Sequence, residues 1–175
     1  APRSLVLTRS GRRCGVQIGR ARLLPVSING LLTARCTIPA GTFLVFPVTG
    51  QVLSAERPEG LLARVRRDFR AIEEARLTVD GRSVRPSGHV VTTPAFRVNL
   101  PSPNGFGIPP GPEWFLSKDY FAILSPPSLG AHTITTLGVI DPPDRAEFSL
   151  GMTYRITVRR AAGAGLTGRL DSAAP

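Results

Sequence analysis

The first third of the chain has no acidic residue. Glu56 is the first, whereas Arg3, Arg9, Arg12, Arg13, Arg20, Arg22 and Arg35 all precede it. Of the 22 Lys+Arg and 12 Asp+Glu, the other 15 basic and all 12 acidic residues follow, so the rest of the chain carries only 15 − 12 = +3 of the formal net charge of +10. Lysine is nearly missing too, with Lys118 standing alone. A coding preference for arginine accounts for the scarcity of lysine but not for the missing acids. A localised cationic segment attracts polyanions such as nucleic acid, anionic lipid or an acidic protein surface.

Other absences narrow the chemistry. No stretch approaches the roughly 20 apolar residues of a membrane-spanning helix, and the longest apolar segment, Phe43-Leu-Val-Phe-Pro-Val48, is strand-sized. The two cysteines, Cys14 and Cys36, show no CxxC or Cys/His spacing and cannot make a zinc site by themselves. They leave two options: buried thiols, or one disulfide closing a loop of about 22 residues, worth about 3 kcal/mol. His89 and His132 are the only histidines. No GxSxG elbow, GxGxxG turn, P-loop or HExxH pair occurs, so no catalytic residue, metal ligand or cofactor is assigned. No aromatic residue precedes Phe43, so the basic segment lacks the rings on which nucleic-acid platforms stack bases.

What the sequence does have is turns and short apolar runs. Eighteen Gly and 17 Pro punctuate 175 residues that are 42% hydrophobic, enough for one domain with a real core. Asn29-Gly30 between Val26–Ile28 and Leu31–Thr37 predicts a hairpin with a type I′ turn, and Asp80-Gly81 between Leu77–Val79 and Arg82–Val84 predicts a second. Thr42–Val48 reads as a buried strand, with Pro47 at an edge or at the strand's end. Leu61, Leu62, Val65, Phe69 and Ile72 form one stripe at helical spacing, which predicts a helix over Pro58–Ala75. Ala95–Leu100, Tyr120–Leu124 and His132–Gly138 read as strands, and Phe148–Val158 places Met152, Tyr154, Ile156 and Val158 on one face. Residues 101–117 read as a long Pro/Gly-rich loop that presents Trp114. The sum is an antiparallel β-sandwich, or a jelly-roll variant, with one amphipathic helix. That domain spans residues 23–160, between a basic arm (1–22) and a Gly/Ala-rich tail (161–175).

Several segments follow one another in a familiar order. These are Cys36-Thr-Ile-Pro-Ala-Gly-Thr-Phe-Leu-Val-Phe-Pro-Val48, Leu77-Thr-Val-Asp-Gly81, Thr93-Pro-Ala-Phe-Arg-Val-Asn-Leu-Pro101, Ser117-Lys-Asp-Tyr-Phe121, Leu129-Gly-Ala-His-Thr-Ile134 and Met152-Thr-Tyr-Arg-Ile-Thr-Val158. Together they resemble a family of uncharacterised exported bacterial β-sandwich proteins with no established activity, over about residues 30–158. The resemblance implies an extracytoplasmic or secreted protein in its mature form, without a signal peptide, where disulfides persist. The family pattern places a second cysteine shortly after the Phe-Pro-Val strand. Here Val48-Thr-Gly-Gln-Val52 has none, which leaves Cys14 as the substitute partner of Cys36.

Three functions remain in play. The first is a non-enzymatic structural or interaction module that builds or decorates a larger assembly, its partner a protein or further copies of itself. Its contacts would be the arm (Arg3, Arg9, Arg12, Arg13, Arg20, Arg22), Trp114 and the tail. The second is a nucleic-acid- or capsid-associated protein that uses the same arginines. The third is an enzyme or ligand-binding domain with a site near Asp119, His132 and Trp114, in which Asp119 and His132 pair beside Ser117 or Ser125.

Overall fold

Strict alternation of side chains builds the molecule. In strand β11 (Phe148–Arg159), Met152, Tyr154, Ile156 and Val158 are buried while Arg155 is exposed. In β3 (Leu31–Pro39), Ala34, Cys36 and Ile38 are buried while Thr33, Arg35 and Thr37 face solvent. The computed structural model describes residues 15–27, 30–85, 89–104, 106–143 and 146–160. The other strands are β1 (Val16–Ile18), β2 (Ala21–Leu23), β4 (Phe43–Ala55), β5 (Ile72–Val79), β6 (Arg82–Val84), β7 (His89–Thr92), β8 (Phe96–Leu100), β9 (Gly111–Leu124) and β10 (Gly130–Ile140). One helix, α1 (Leu61–Phe69), interrupts them.

These strands form two mixed sheets packed as a β-sandwich. The first has the order β1-β2-β4-β9, with β7 and β8 side by side along the far edge of β9, and the second has the order β3-β11-β10-β5-β6. Two pairings, β2 with β4 and β3 with β11, are parallel, and the rest are antiparallel. The main core lies between the sheets, where Leu44, Phe46 and Val48 of β4 meet Ile134 of β10 and Tyr154 and Ile156 of β11. Among the described residues no helix is long and apolar enough to cross a membrane.

The helix is shorter than its stripe. Leu61, Val65 and Phe69 are buried at i, i+4, i+8; Leu61 and Val65 build a second core cluster with Leu53 and Leu116 on the inner face of the first sheet, and the Phe69 ring packs on Tyr120. Leu62 is 40% exposed, and Ile72, which continues the helical spacing, belongs to β5. The ladder of β5 with β10, which pairs Leu77 with Thr136 and Val79 with Ile134, captures this β-branched segment, and tertiary pairing overrides the local period. Gly60 enters the helix at φ 78°, and Arg66 and Arg67 sit in the last turn, where cations suit the helix dipole.

Three further expectations change on contact with the fold. The hairpin expected at Asn29-Gly30 has no counterpart among the described strand pairings, where β3 takes β11 as its partner, in parallel; Ile28 and Asn29 lie outside the described residues. Pro47 is not at the end of its strand: β4 runs on to Ala55, and the register with β9 shifts between Pro47 and Thr49. β2 reaches only to Val45, so on that side the missing N–H of Pro47 breaks no ladder, and the bulge absorbs the irregularity. The expected loop over 101–117 is shorter, since β9 starts at Gly111 and takes Trp114 into the sheet. By contrast the Asp80-Gly81 hairpin forms as predicted, with φ 50° and 77° at its two central residues.

Candidate functional site

The first sheet turns an apolar face outward, away from the sandwich core. In β4 the outward residues after the bulge are Gly50 and Val52. Opposite them on β9 stand Asp119 and Ser117, and farther along Ile123 pairs with Val45. β7 adds Val91 opposite Asp119, and β8 adds Phe96 opposite Phe115, whose ring stacks on Phe96 and meets Phe106. Val52, Val91, Phe96 and Ile123 are 41–51% exposed although they lie in paired strands. Exposed apolar side chains gathered on one sheet face are a feature that contact surfaces use.

Asp119 sits in the middle of that face, between Gly50 and Val91. Its carboxyl lies against the bare backbone of Gly50, where an added Cβ would overlap Oδ1. Burial there disfavours the charged form and pushes its pKa up to about 6, against which a hydrogen bond from Ser117 acts weakly. The centre of the face is therefore a carboxyl that changes charge near pH 6.

The second cluster forms where the β5–β6 turn meets the start of β10. The Asp80 backbone N–H donates to the Thr133 carbonyl (2.8 Å), and its Oδ1 accepts the Thr133 N–H (2.7 Å). Oδ2 lies 2.8 Å from Nδ1 of His132, whose Nε2 is 2.9 Å from the Ser128 carbonyl and 3.3 Å from Ser128 Oγ. The order Ser–His–Asp resembles a nucleophile's relay, but the partners argue otherwise. A carbonyl and a carboxylate both only accept, and Nε2 lies nearer the Ser128 carbonyl than the Ser128 hydroxyl, which favours the doubly protonated ring over a base for Ser128. The imidazole is a clasp joining the β5–β6 turn, the 125–129 loop and β10. The Asp80 hydrogen bond raises the pKa of His132, and the same bond, with that from Thr133, lowers the pKa of Asp80.

The sign of the linkage follows from those two shifts. The clasp stabilises fully between the ordinary values of 3.8 for Asp80 and 6.5 for His132. It is lost as pH rises through the raised His132 pKa, or falls through the lowered Asp80 pKa. Asp80 is about half exposed, so the pair is worth about 1 kcal/mol or less. Asp80→Asn keeps a residue that tolerates positive φ and removes the charge. Its urea midpoint should lie below that of the native chain at pH 5.5 and converge with it at pH 9. Equal midpoints at pH 5.5 would show that the ion pair contributes nothing.

The structure separates several of the residues expected to act together. Asp119 is on β9 of the first sheet and His132 on β10 of the second, and His132 is held by Asp80 and Ser128 instead. Trp114 points inward, half-buried against Leu61, Val65 and Leu116. Arg20 and Arg22 belong to the β1–β2 hairpin, so residues 16–18 and 21–22 of the 1–22 segment lie in strands of the first sheet. The Arg20 guanidinium lies 5.8 Å from the centre of the Phe43 ring, and Arg22 Nε donates to Gln17 Oε1. Arg3, Arg9, Arg12, Arg13, Cys14 and the tail lie outside the described residues. Cys36 is buried in β3. Among the described residues no three His, Cys, Asp or Glu side chains converge as metal ligands. The sequence reading found Asp119 but not the apolar face around it, which two different edge strands complete. No protein family, characterised protein or solved structure matches this chain.

Proposed function

We propose that the protein is a non-enzymatic, exported β-sandwich module that assembles with further copies of itself through the outer face of its first sheet. One observation carries this reading: Val52, Val91, Phe96 and Ile123 stand 41–51% exposed on the sheet face that holds Asp119. An exposed apolar face that meets its own copy about a two-fold axis buries the same side chains in both subunits, and that is the commonest symmetry of soluble assemblies. The basic arm and the Gly/Ala-rich tail are additional contact elements. Export rests on the family resemblance, and with it goes a Cys14–Cys36 disulfide that ties the arm to β3.

Native mass spectrometry without reductant tests both parts. The native chain should give a discrete oligomer. Ile123→Glu, a substitution at an exposed position with little cost to the fold, should give the monomer. A native chain that stays monomeric at high micromolar concentration, or an Ile123→Glu oligomer of unchanged size, overturns the assembly reading. A subunit mass two hydrogens below the reduced value reports the disulfide, and the full reduced mass refutes it.

A further inference from the structure

Few charged groups share the outward face of the first sheet with Asp119. On β9 its neighbours on that face are Ser117 and Phe121. Lys118, next in sequence, turns to the inner face, where its ammonium lies 4.6 Å from the centre of the Phe69 ring. On β4 the outward residues alongside are Pro47, Gly50 and Val52, none of them ionisable. On β7 Val91 stands directly opposite, and His89, opposite Phe121, is the one ionisable side chain that this strand adds. Among the described residues the next charges lie at the two ends of the face. They are Glu113, opposite Val98 on β8, and Arg20, whose guanidinium lies over the Phe43 ring. Burial of Asp119 favours the neutral acid, and the Ser117 hydrogen bond opposes it.

A second copy laid over Val52, Val91 and Ile123 also covers the carboxyl that stands among them. Taking the remaining water from an ionised carboxylate without a counter-ion is costly. A protonated carboxyl is a small polar group that needs only a hydrogen-bond partner. Assembly therefore adds to the desolvation that already brings the Asp119 pKa to about 6 in the single chain. A state that binds its proton more tightly is favoured by acid. His89 acts in the opposite direction. It gains charge on acidification, and a cation brought to the border of an apolar contact opposes closure. The two groups thus leave opposite signatures.

We infer that self-assembly through this face is switched by pH: the face closes on its copy while Asp119 is protonated and loosens when Asp119 ionises. The inference rests on the assembly proposed above and adds its control. A rise from acidic to neutral pH is then the loosening signal, and no second ligand is needed.

Sedimentation equilibrium of the full chain at pH 5.0 and pH 7.5, at one ionic strength, tests it. The association constant should fall by at least about tenfold between the two. The fall reaches about a thousandfold when each of two subunits must take up a whole proton. Asp119→Asn should assemble equally at both pH values, at about the strength of the native chain at pH 5.0. His89→Asn should keep the fall. Circular-dichroism melts establish that each variant is folded at both pH values. Equal association of the native chain at both pH values overturns the switch and leaves the assembly reading in place. A native chain and an Asp119→Asn variant that are both monomeric throughout overturn the assembly reading, and the switch with it. Tighter association at pH 7.5, or a fall that survives Asp119→Asn, assigns the response to another group and also overturns the inference.

Discussion

Asp119→Asn should raise the thermal midpoint at pH 7.5 and leave it unchanged at pH 4. The unfolded carboxyl titrates near 3.8 and the folded one near 6. Between those values the folded state binds more protons than the unfolded state, so stability falls as pH rises from about 4 to 6, and the whole penalty is present above that range. Two pKa units correspond to roughly 2–3 kcal/mol, which in a domain of this length is about 5 °C in the midpoint. Asparagine has nearly the same shape, has no charge to desolvate and still accepts the hydrogen bond from Ser117. Scanning calorimetry of both proteins at the two pH values measures the difference. A variant less stable than the native chain at pH 7.5 would mean that the carboxylate is held by a favourable partner and that burial is not the dominant influence on it. The native protein tolerates a group that works against folding at neutral pH, in the middle of its most apolar exposed face. That placement fits a contact surface better than a packing role.

The second large effect is in the core. Tyr154→Ala should lower stability by about 3–5 kcal/mol, and Tyr154→Phe by about 1–2 kcal/mol. The Tyr154 side chain is fully buried, its ring 5.6 Å from that of Phe46 across the sandwich, and its hydroxyl donates to the Pro25 carbonyl at 2.7 Å. Burial raises the phenol's pKa, so it remains a neutral donor at any working pH. Alanine leaves a cavity between the sheets, whereas phenylalanine leaves only the Pro25 carbonyl without this donor. Urea denaturation separates the two losses. If phenylalanine cost as much as alanine, the hydroxyl's tether on Pro25 rather than the ring would hold the sheets in place.

Much of this fold is legible locally. The alternation of Met152, Tyr154, Ile156 and Val158 names the inward face of β11, and Asp80-Gly81 names its turn because both residues adopt the positive φ that a two-residue hairpin demands. What misleads is local pattern without a partner. Ile72 extends the Leu61–Phe69 stripe arithmetically, yet its place is set by Ile140 on a strand that comes much later in the chain. Gly30 has the positive φ of a turn, but the strand that follows it pairs far away in sequence. The site residues are less legible still. Asp80 reads as turn chemistry and His132 as a strand start, and their 2.8 Å contact spans 52 residues. The place of Asp119 between Gly50 and Val91 likewise exists only through the registers of two ladders.

That ladder also sets an order of events. Among the described strands β3 is the first long one to be synthesised, and in its sheet it pairs with β11, the last of them, with Leu31 opposite Gly151. Until the C-terminal strand emerges, β3 has no neighbour in its own sheet, and β10 lacks one of its two. Closing a loop of that length must precede the contacts that reward it, which makes such folding slow and leaves strand edges bare meanwhile. A nascent chain of this topology leaves β3 without its sheet partner until β11 has been made. The same delay keeps it threadable through a narrow translocation channel, the passage that the proposed export requires, and a truncation before Gly151 would leave β3 without its strand partner.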